Sequence, residues 1–403
     1  MSQALTSVST LLISVFILLV GHGLQLTIAP LYAADLGWDS STISYLGSAY
    51  FGGFVLGCIA IPRLVSKVGH IRVFAVMAAA ATVALLALSL TEQLAVWLIA
   101  RVITGATLAG LYMVIESWLN ERSTPENRGL VLSIYSAITL GALCVGQLLI
   151  GYSDSFLVLI ALAAMLLASG AIPVGLTRSP APEPIPTMSF NLREVYEASH
   201  VAVVGVFMVG LVTSGIWTLG PIIAQSQGLT QSEVGIFMAI TILGGAAFQL
   251  PLGRMSDRRD RRQVVILAAF TGAIVAQLAI LFSGIHQYVL FGLMFVFGGA
   301  TLPLYSILLA HANDNSRLPL IQVGSVVLLS HSLGAMIGPL LLSLVIDKSA
   351  LSLFIFAEFV LIILTVWTWW RLVKFPSTAD HYEPFVNIPK TTQGAIEAFD
   401  EHD

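Results

Sequence analysis

The chain has 403 residues, of which 57% are hydrophobic and 10% charged, with a formal net charge of −4 and a mean hydropathy of +0.90. Soluble domains are roughly half apolar and a quarter charged, so this composition excludes a soluble fold, and the near-neutral balance offers nothing to a nucleic acid. Cys58 and Cys144 lie in apolar runs without ligand spacing and read as packing residues, so neither a metal nor another cofactor is implied.

Taken in order, apolar segments fall at about residues 8 to 32, 41 to 61, 73 to 91, 94 to 115, 129 to 151, 155 to 175, 201 to 224, 233 to 252, 263 to 285, 288 to 310, 320 to 346 and 350 to 370. Each is close to the ~20 residues that cross ~30 Å of hydrocarbon as a helix. Such runs are too long and too uniformly apolar for barrel strands, which leaves an all-α polytopic membrane protein of twelve transmembrane helices. The first run has no Lys or Arg before it and exceeds a signal-peptide core, so it reads as a true span.

The loops after even-numbered spans, with the tail, hold sixteen basic residues, among them Arg63, Lys67, Arg72, Arg122, Arg128 and Arg317. The opposite side holds Lys348 alone, and Arg101 lies inside a span. Positive loops stay in the cytoplasm, so both termini are expected there, in a bacterial inner membrane. The densest cluster is Gly253 to Arg262, with five arginines and two aspartates in ten residues. Pro180, Pro182, Pro184 and Pro186 mark a linker over 177–200. The expected units are therefore a first half at 1–176, this linker, a second half at 201–371 and a polar tail at 372–403.

The halves repeat. At an offset of 191 residues Ala29-Pro30 matches Gly220-Pro221, and Gly37, Ser41, Gly53 and Arg63 match Gly228, Ser232, Gly244 and Arg254. With a small shift Gly105 to Tyr112 echoes Gly299 to Tyr305. Six spans followed by six in the same orientation form a parallel pseudo-repeat, with a binding site expected between the halves near mid-membrane.

The loop Gly253, Asp257, Arg258, Arg261, Arg262 resembles the signature loop of the major facilitator superfamily, with Asp260 where a glycine is expected. Its first-half partner, Pro62 to Arg72, is degenerate. Glu121 to Arg128-Gly129 and Arg101-x-x-x-Gly105 resemble two further motifs of that family. Tyr112-Met-Val-Ile-Glu-Ser-Trp-Leu-Asn is similar to its YcaD-like bacterial branch. The resemblance implies a monomeric secondary transporter in the bilayer, with spans 1, 4, 7 and 10 around a central cavity.

Charges of both signs at matched positions suggest a cytoplasmic latch: Arg63 or Lys67 with Glu121, and Arg258 or Arg261 with Asp314. Asp257 is expected near a helix N-terminus, where the dipole favours an anion. Anchoring of topology is the rival explanation for the basic residues. Within the membrane an ionisable residue is costly and therefore a functional candidate. His22 and Gln25 share one stripe of span 1, and Arg101, Tyr112 and Glu116 share one of span 4. Trp217 and Tyr305 follow from the cavity that the family resemblance implies. Arg101 either contacts an anionic group of the solute or ties spans 1 and 4 through backbone carbonyls. His22 and His331 are either packing histidines or proton carriers. Glu116, at the inner end of span 4, reads as a latch partner. Glu358 has no evident partner.

Span 5 lacks the Gly-Pro of drug–proton exporters and span 1 lacks an acid, which favours proton-coupled uptake of a small organic solute. The alternatives are efflux of a drug or metabolite by proton antiport, or a membrane-embedded enzyme, for which no catalytic motif is present.

Overall fold

A computed structural model of the chain describes residues 2–123, 128–176, 192–282, 284, 286–346 and 351–375. Their helices are α1 (Ser2–Asp35), α2 (Ser40–Val68), α3 (His70–Ala87), α4 (Leu94–Glu121), α5 (Arg128–Leu148), α6 (Phe156–Gly175), α7 (Leu192–Ala198), α8 (His200–Ser226), α9 (Gln231–Asp257), α10 (Arg261–Leu281), α11 (Gln287–Thr301), α12 (Leu304–Asn315), α13 (Leu320–Ile346) and α14 (Ser352–Lys374). A single 3-10 turn, Leu149–Tyr152, extends α5. Twelve spans long and apolar enough to cross a membrane result, with α11 and α12 together forming the tenth. Arg178, Lys348 and Lys390 lie outside the described residues, as does the side chain of Arg128.

Two elements depart from expectation. The linker predicted over 177–200 contains the short helix α7. The tenth span is broken at Leu302 and Pro303. Proline has no N–H to donate and its ring collides with the preceding turn. The matching position of α4 is Gly110, and α4 runs unbroken.

The repeat is written into local geometry. Gly37 and Gly228 end the first spans of the two halves with φ of +80° and +85°, a region in which a Cβ is strained. Two residues later Asp39 and Thr230 cap α2 and α9, Asp39 accepting from Thr42 N and Thr230 from Glu233 N. Within the bundles, a Cβ on Gly53 would meet the Val102 carbonyl at 2.1 Å, and one on its partner Gly244 would meet the Phe295 carbonyl at 1.8 Å. Small residues let α2 lie against α4, and α9 against α11, at backbone contact.

Between the halves, α2 packs on α13 and α5 on α9. A Cβ on Gly47 would meet Thr218, one on Gly151 would meet Ser232, and one on Gly235 would meet the Gln147 carbonyl, at 2.3 to 2.5 Å. Gln231 Nε2 bridges the same seam, donating to the carbonyls of Ile150 and Ser153, both at 2.9 Å. All of these contacts lie on the half of the molecule away from the arginine cluster.

Candidate functional site

Near the middle of the bundle a cavity of about 210 Å³ opens between the halves. From the first half it takes His22 and Leu26 of α1, Tyr50, Phe51 and Phe54 of α2, Tyr112 of α4, and Ser136 and Thr139 of α5. From the second it takes Thr213 and Trp217 of α8, Gln249 of α9, Leu302 and Ser306 at the break before and within α12, and His331 and Ser332 of α13. Among the described residues no Asp, Glu, Lys or Arg lines it. The Pro303 break places Leu302 and Ser306 on its wall, where Gln249 Nε2 donates to Ser306 Oγ at 3.2 Å.

His22 and Tyr112 line the cavity, whereas Gln25, expected beside them on the wall, is fully buried behind His22. Gln25 Nε2 lies 2.9 Å from His22 Nδ1, and the imidazole meets the Tyr112 ring edge-on at 6.3 Å between centroids. Its Nε2 faces the Tyr50 hydroxyl at 3.5 Å. Across the cavity, His331 meets the Tyr305 ring edge-on at 5.1 Å, and its Nε2 lies 3.5 Å from Thr213 Oγ1. Each half thus presents one histidine packed on the tyrosine of its fourth span.

The histidines are not repeat partners. At the offset of 191, His22 corresponds to Thr213. At 192, the spacing that relates Gly146 and Gly338 where they pack on Val20 and Leu211, His331 corresponds to Thr139. The pair of positions is thus shared and the two residue types are exchanged between the halves. Thr139 Oγ1 is buried and has no hydrogen-bond partner among the described residues.

Arg101 is 5% exposed and does not line the cavity. Its Nε reaches the Leu46 carbonyl at 3.5 Å, and its guanidinium stacks on the Tyr50 ring at 4.7 Å. It therefore ties α4 to α2 rather than to α1, and Tyr50 stands between it and the solute space. Tyr50, Thr139, Thr213, Gln249 and Ser306 were not singled out from sequence. The offsets that relate the halves would have found Thr213 and Thr139.

On the arginine-rich face the structure pairs Arg261 with Asp314, one of the combinations expected from sequence. Arg261 at the start of α10 binds Asp314 of α12 at 2.5 Å and Asp257 of α9 at 3.2 Å. Arg261 and Asp314 have side chains only 1% exposed. All three belong to the second half, so the pair expected from sequence is joined by Asp257 into a clamp within that half. Arg63 and Lys67 are exposed and pair with no acid among the described residues, and Arg258 is likewise exposed.

Asp257 is the last residue of α9, and the N-terminal anion is Asp260 instead. Asp260 accepts from Arg262 N at 2.9 Å and from the Arg262 side chain at 2.6 Å. Burial works to raise its carboxyl, but these Arg262 bonds outweigh burial and hold it below the usual carboxylate range. Arg262 also donates to the Phe375 carbonyl at 2.6 Å, tying α10 to the end of α14.

Glu116 is fully buried and accepts from the Tyr135 hydroxyl at 3.3 Å, so it is an internal link of α4 to α5 rather than a surface latch partner. Glu121 is exposed at the end of α4. Glu358 does have a partner: the Gln277 amide nitrogen, turned toward it, donates at 2.9 Å.

A sequence model of the Major Facilitator Superfamily matches residues 11–195 and 202–390. The chain is 26% identical over 317 residues to the MFS-type transporter YcaD of Escherichia fergusonii, a match spanning 78% of this chain and 82% of that protein. It is 25% identical to an MFS-type transporter of Yersinia enterocolitica, over 80% of this chain and 84% of that one. Among solved structures it is similar to a mutant form of the nucleoside transporter NupG, with a TM-score of 0.73 and 13% identity, covering 89% of this chain and 98% of that chain. It is also similar to a bacterial homologue of the human lysosomal transporter Spinster in an inward-facing, occupied conformation. That match has a TM-score of 0.72 and 15% identity, and covers 94% of this chain and 98% of the other.

Proposed function

The chain belongs to the major facilitator superfamily, on its YcaD-like bacterial branch, and we propose that this multi-pass membrane transporter performs proton-coupled uptake of a small organic solute. The observation that carries the reading is the central cavity walled by both halves, with a histidine from each. Rocking of the unit at 1–176 against that at 201–371, joined by the linker at 177–200, exposes such a site to each side in turn. Closure of the α5–α9 seam fits a state sealed on the side away from the arginines. With the basic loops and both termini in the cytoplasm of an inner-membrane protein, that sealed side is the outer one.

His22 and His331 are the histidines on the cavity wall, and an unperturbed histidine changes charge near neutral pH. They carry the coupling proton in this reading, and Arg101 positions Tyr50 against His22. The Arg261 clamp keeps the ends of α9, α10 and α12 together so that the second half moves as a body. The missing Gly-Pro of span 5 favours uptake over antiport.

The test is accumulation from a metabolite mixture into proteoliposomes, acid outside, read by mass spectrometry. The reading predicts accumulation of one solute above its external concentration, abolished by a protonophore and by His331→Gln or His22→Gln. Accumulation indifferent to the protonophore overturns the coupling, and expulsion against a gradient overturns the direction.

A further inference from the structure

We infer that the central cavity is built for a neutral, planar heteroaromatic solute of one or two rings, held between the histidines and the aromatic walls of the two halves. The assignment deepens the transport reading and rests on it.

Size sets the first limit. A cavity of about 210 Å³ lies below the range of about 300–1,000 Å³ typical of drug-sized ligands. Charge sets the second. With no Asp, Glu, Lys or Arg on its wall among the described residues, the cavity offers no counter-ion while both histidines are neutral, and a buried ion without one is strongly penalised. Arg101 lies behind the Tyr50 ring, and Glu116 is enclosed between α4 and α5 with Tyr135.

Shape comes from the aromatic walls. Tyr50, Phe51, Phe54 and Tyr112 of the first half face Trp217 of the second. Such surfaces favour a flat π-system in stacked or edge-on contact. Polar groups then select among flat molecules. His22 and Thr139 of the first half correspond to Thr213 and His331 of the second, so at these two positions each side offers one imidazole and one threonine hydroxyl. A neutral imidazole is both donor and acceptor, and a hydroxyl is both as well. A heterocycle with donors and acceptors on its rim satisfies that set; a benzene ring or an aliphatic chain does not. Thr139, whose hydroxyl has no partner among the described residues, is the group most in need of one.

The experiment is isothermal titration of the purified full-length protein, without any gradient, with adenine, nicotinamide, benzoate, glucose and tetraphenylphosphonium. Saturable binding of adenine or nicotinamide is expected, undiminished by excess benzoate or tetraphenylphosphonium. Thr139→Val should weaken it about tenfold, the scale of one lost hydrogen bond to a buried group. Trp217→Ala should weaken it by a similar factor and Trp217→Phe should restore most of the loss. Melting of each unliganded variant shows whether it remains folded.

Preferential binding of benzoate, of the lipophilic cation or of glucose overturns the assignment, and so does the failure of both heterocycles to bind. Benzoate binding that disappears in Arg101→Gln would identify an anion site instead. Failure of the heterocycles alongside gradient-driven accumulation of another solute removes the solute class and leaves transport standing. Binding of a heterocycle with no accumulation in proteoliposomes removes the transport reading alone.

Discussion

The two halves agree around the cavity and differ at the arginine-rich face. Around the cavity each contributes a histidine and a threonine, with Tyr112 on the wall in the first half and Tyr305 buried behind His331 in the second, and each packs its second span on its fourth through a glycine at backbone contact. At the basic face the second half has a clamp of Arg261, Asp257 and Asp314, with Arg261 and Asp314 buried, while Arg63 and Lys67 of the first half stand exposed and pair with no acid among the described residues. The same loop turns through Gly69, at φ +90°, in the first half and through the helix-capping Asp260 in the second. The shared part is what a solute meets; the divergent part is what holds one half rigid. A duplicated fold needs two matching walls for one site, but it does not need two identical clamps.

The largest expected difference between the halves is at that clamp. Arg261→Ala leaves the Asp314 carboxylate buried without its cation and should cost about 3–5 kcal/mol of stability, measured by denaturant unfolding in detergent. Arg63→Ala should leave the unfolding curve unchanged, because an exposed, unpaired arginine loses little. Equal losses from the two variants would erase the contrast.

Next come the glycine contacts, which should behave alike in both halves. Gly53→Ala and Gly244→Ala each drive a Cβ into a backbone carbonyl, and each should destabilise by about 1–3 kcal/mol. Gly141→Ala, with nothing within 4 Å of its Cβ, is the neutral control. A loss in one half alone would mean that the helix pairs are not equivalent.

The smallest effect is at Asp260. Asp260→Ala removes an N-cap, worth about 0.5–2 kcal/mol at neutral pH. Because the carboxyl is held below its ordinary 3.8, its contribution is complete above that value and disappears as pH falls through the lower folded-state value. The difference between wild type and Asp260→Ala should therefore be constant near neutrality and shrink only in acid. A difference that grows on acidification would contradict the assigned partner.

Much of this fold was legible because a membrane span leaves a long apolar signature and the repeat supplies an internal check. The Gly37–Gly228 and Gly53–Gly244 matches read from sequence became matching turns and matching helix contacts. The break in the tenth span was less legible, although Pro303 marked it. At the cavity, His22, Tyr112, Trp217 and His331 followed from depth and from the family's spans, whereas Tyr50 and Thr139 did not. They sit on spans 2 and 5, and only packing brings those spans to the centre. Arg101 was misplaced for the same reason, since sequence gives its depth in span 4 but not that Tyr50 stands in front of it. Glu116 was read as an interfacial group from helix length alone, and the neighbouring α5 encloses it.

The central claim is that solute passes when the seam away from the arginines opens. Gly151 and Ser232 face each other there, with a Cβ on Gly151 falling 3.0 Å from Ser232 Cβ, slightly inside the roughly 3.5–4.5 Å of a disulfide. Gly151→Cys with Ser232→Cys, in a Cys58→Ala and Cys144→Ala background, bolts that seam when oxidised. In proteoliposomes the oxidised protein should carry no solute, and a reductant should restore the flux. Transport by the fully cross-linked protein at the reduced rate would contradict alternating access through this cavity.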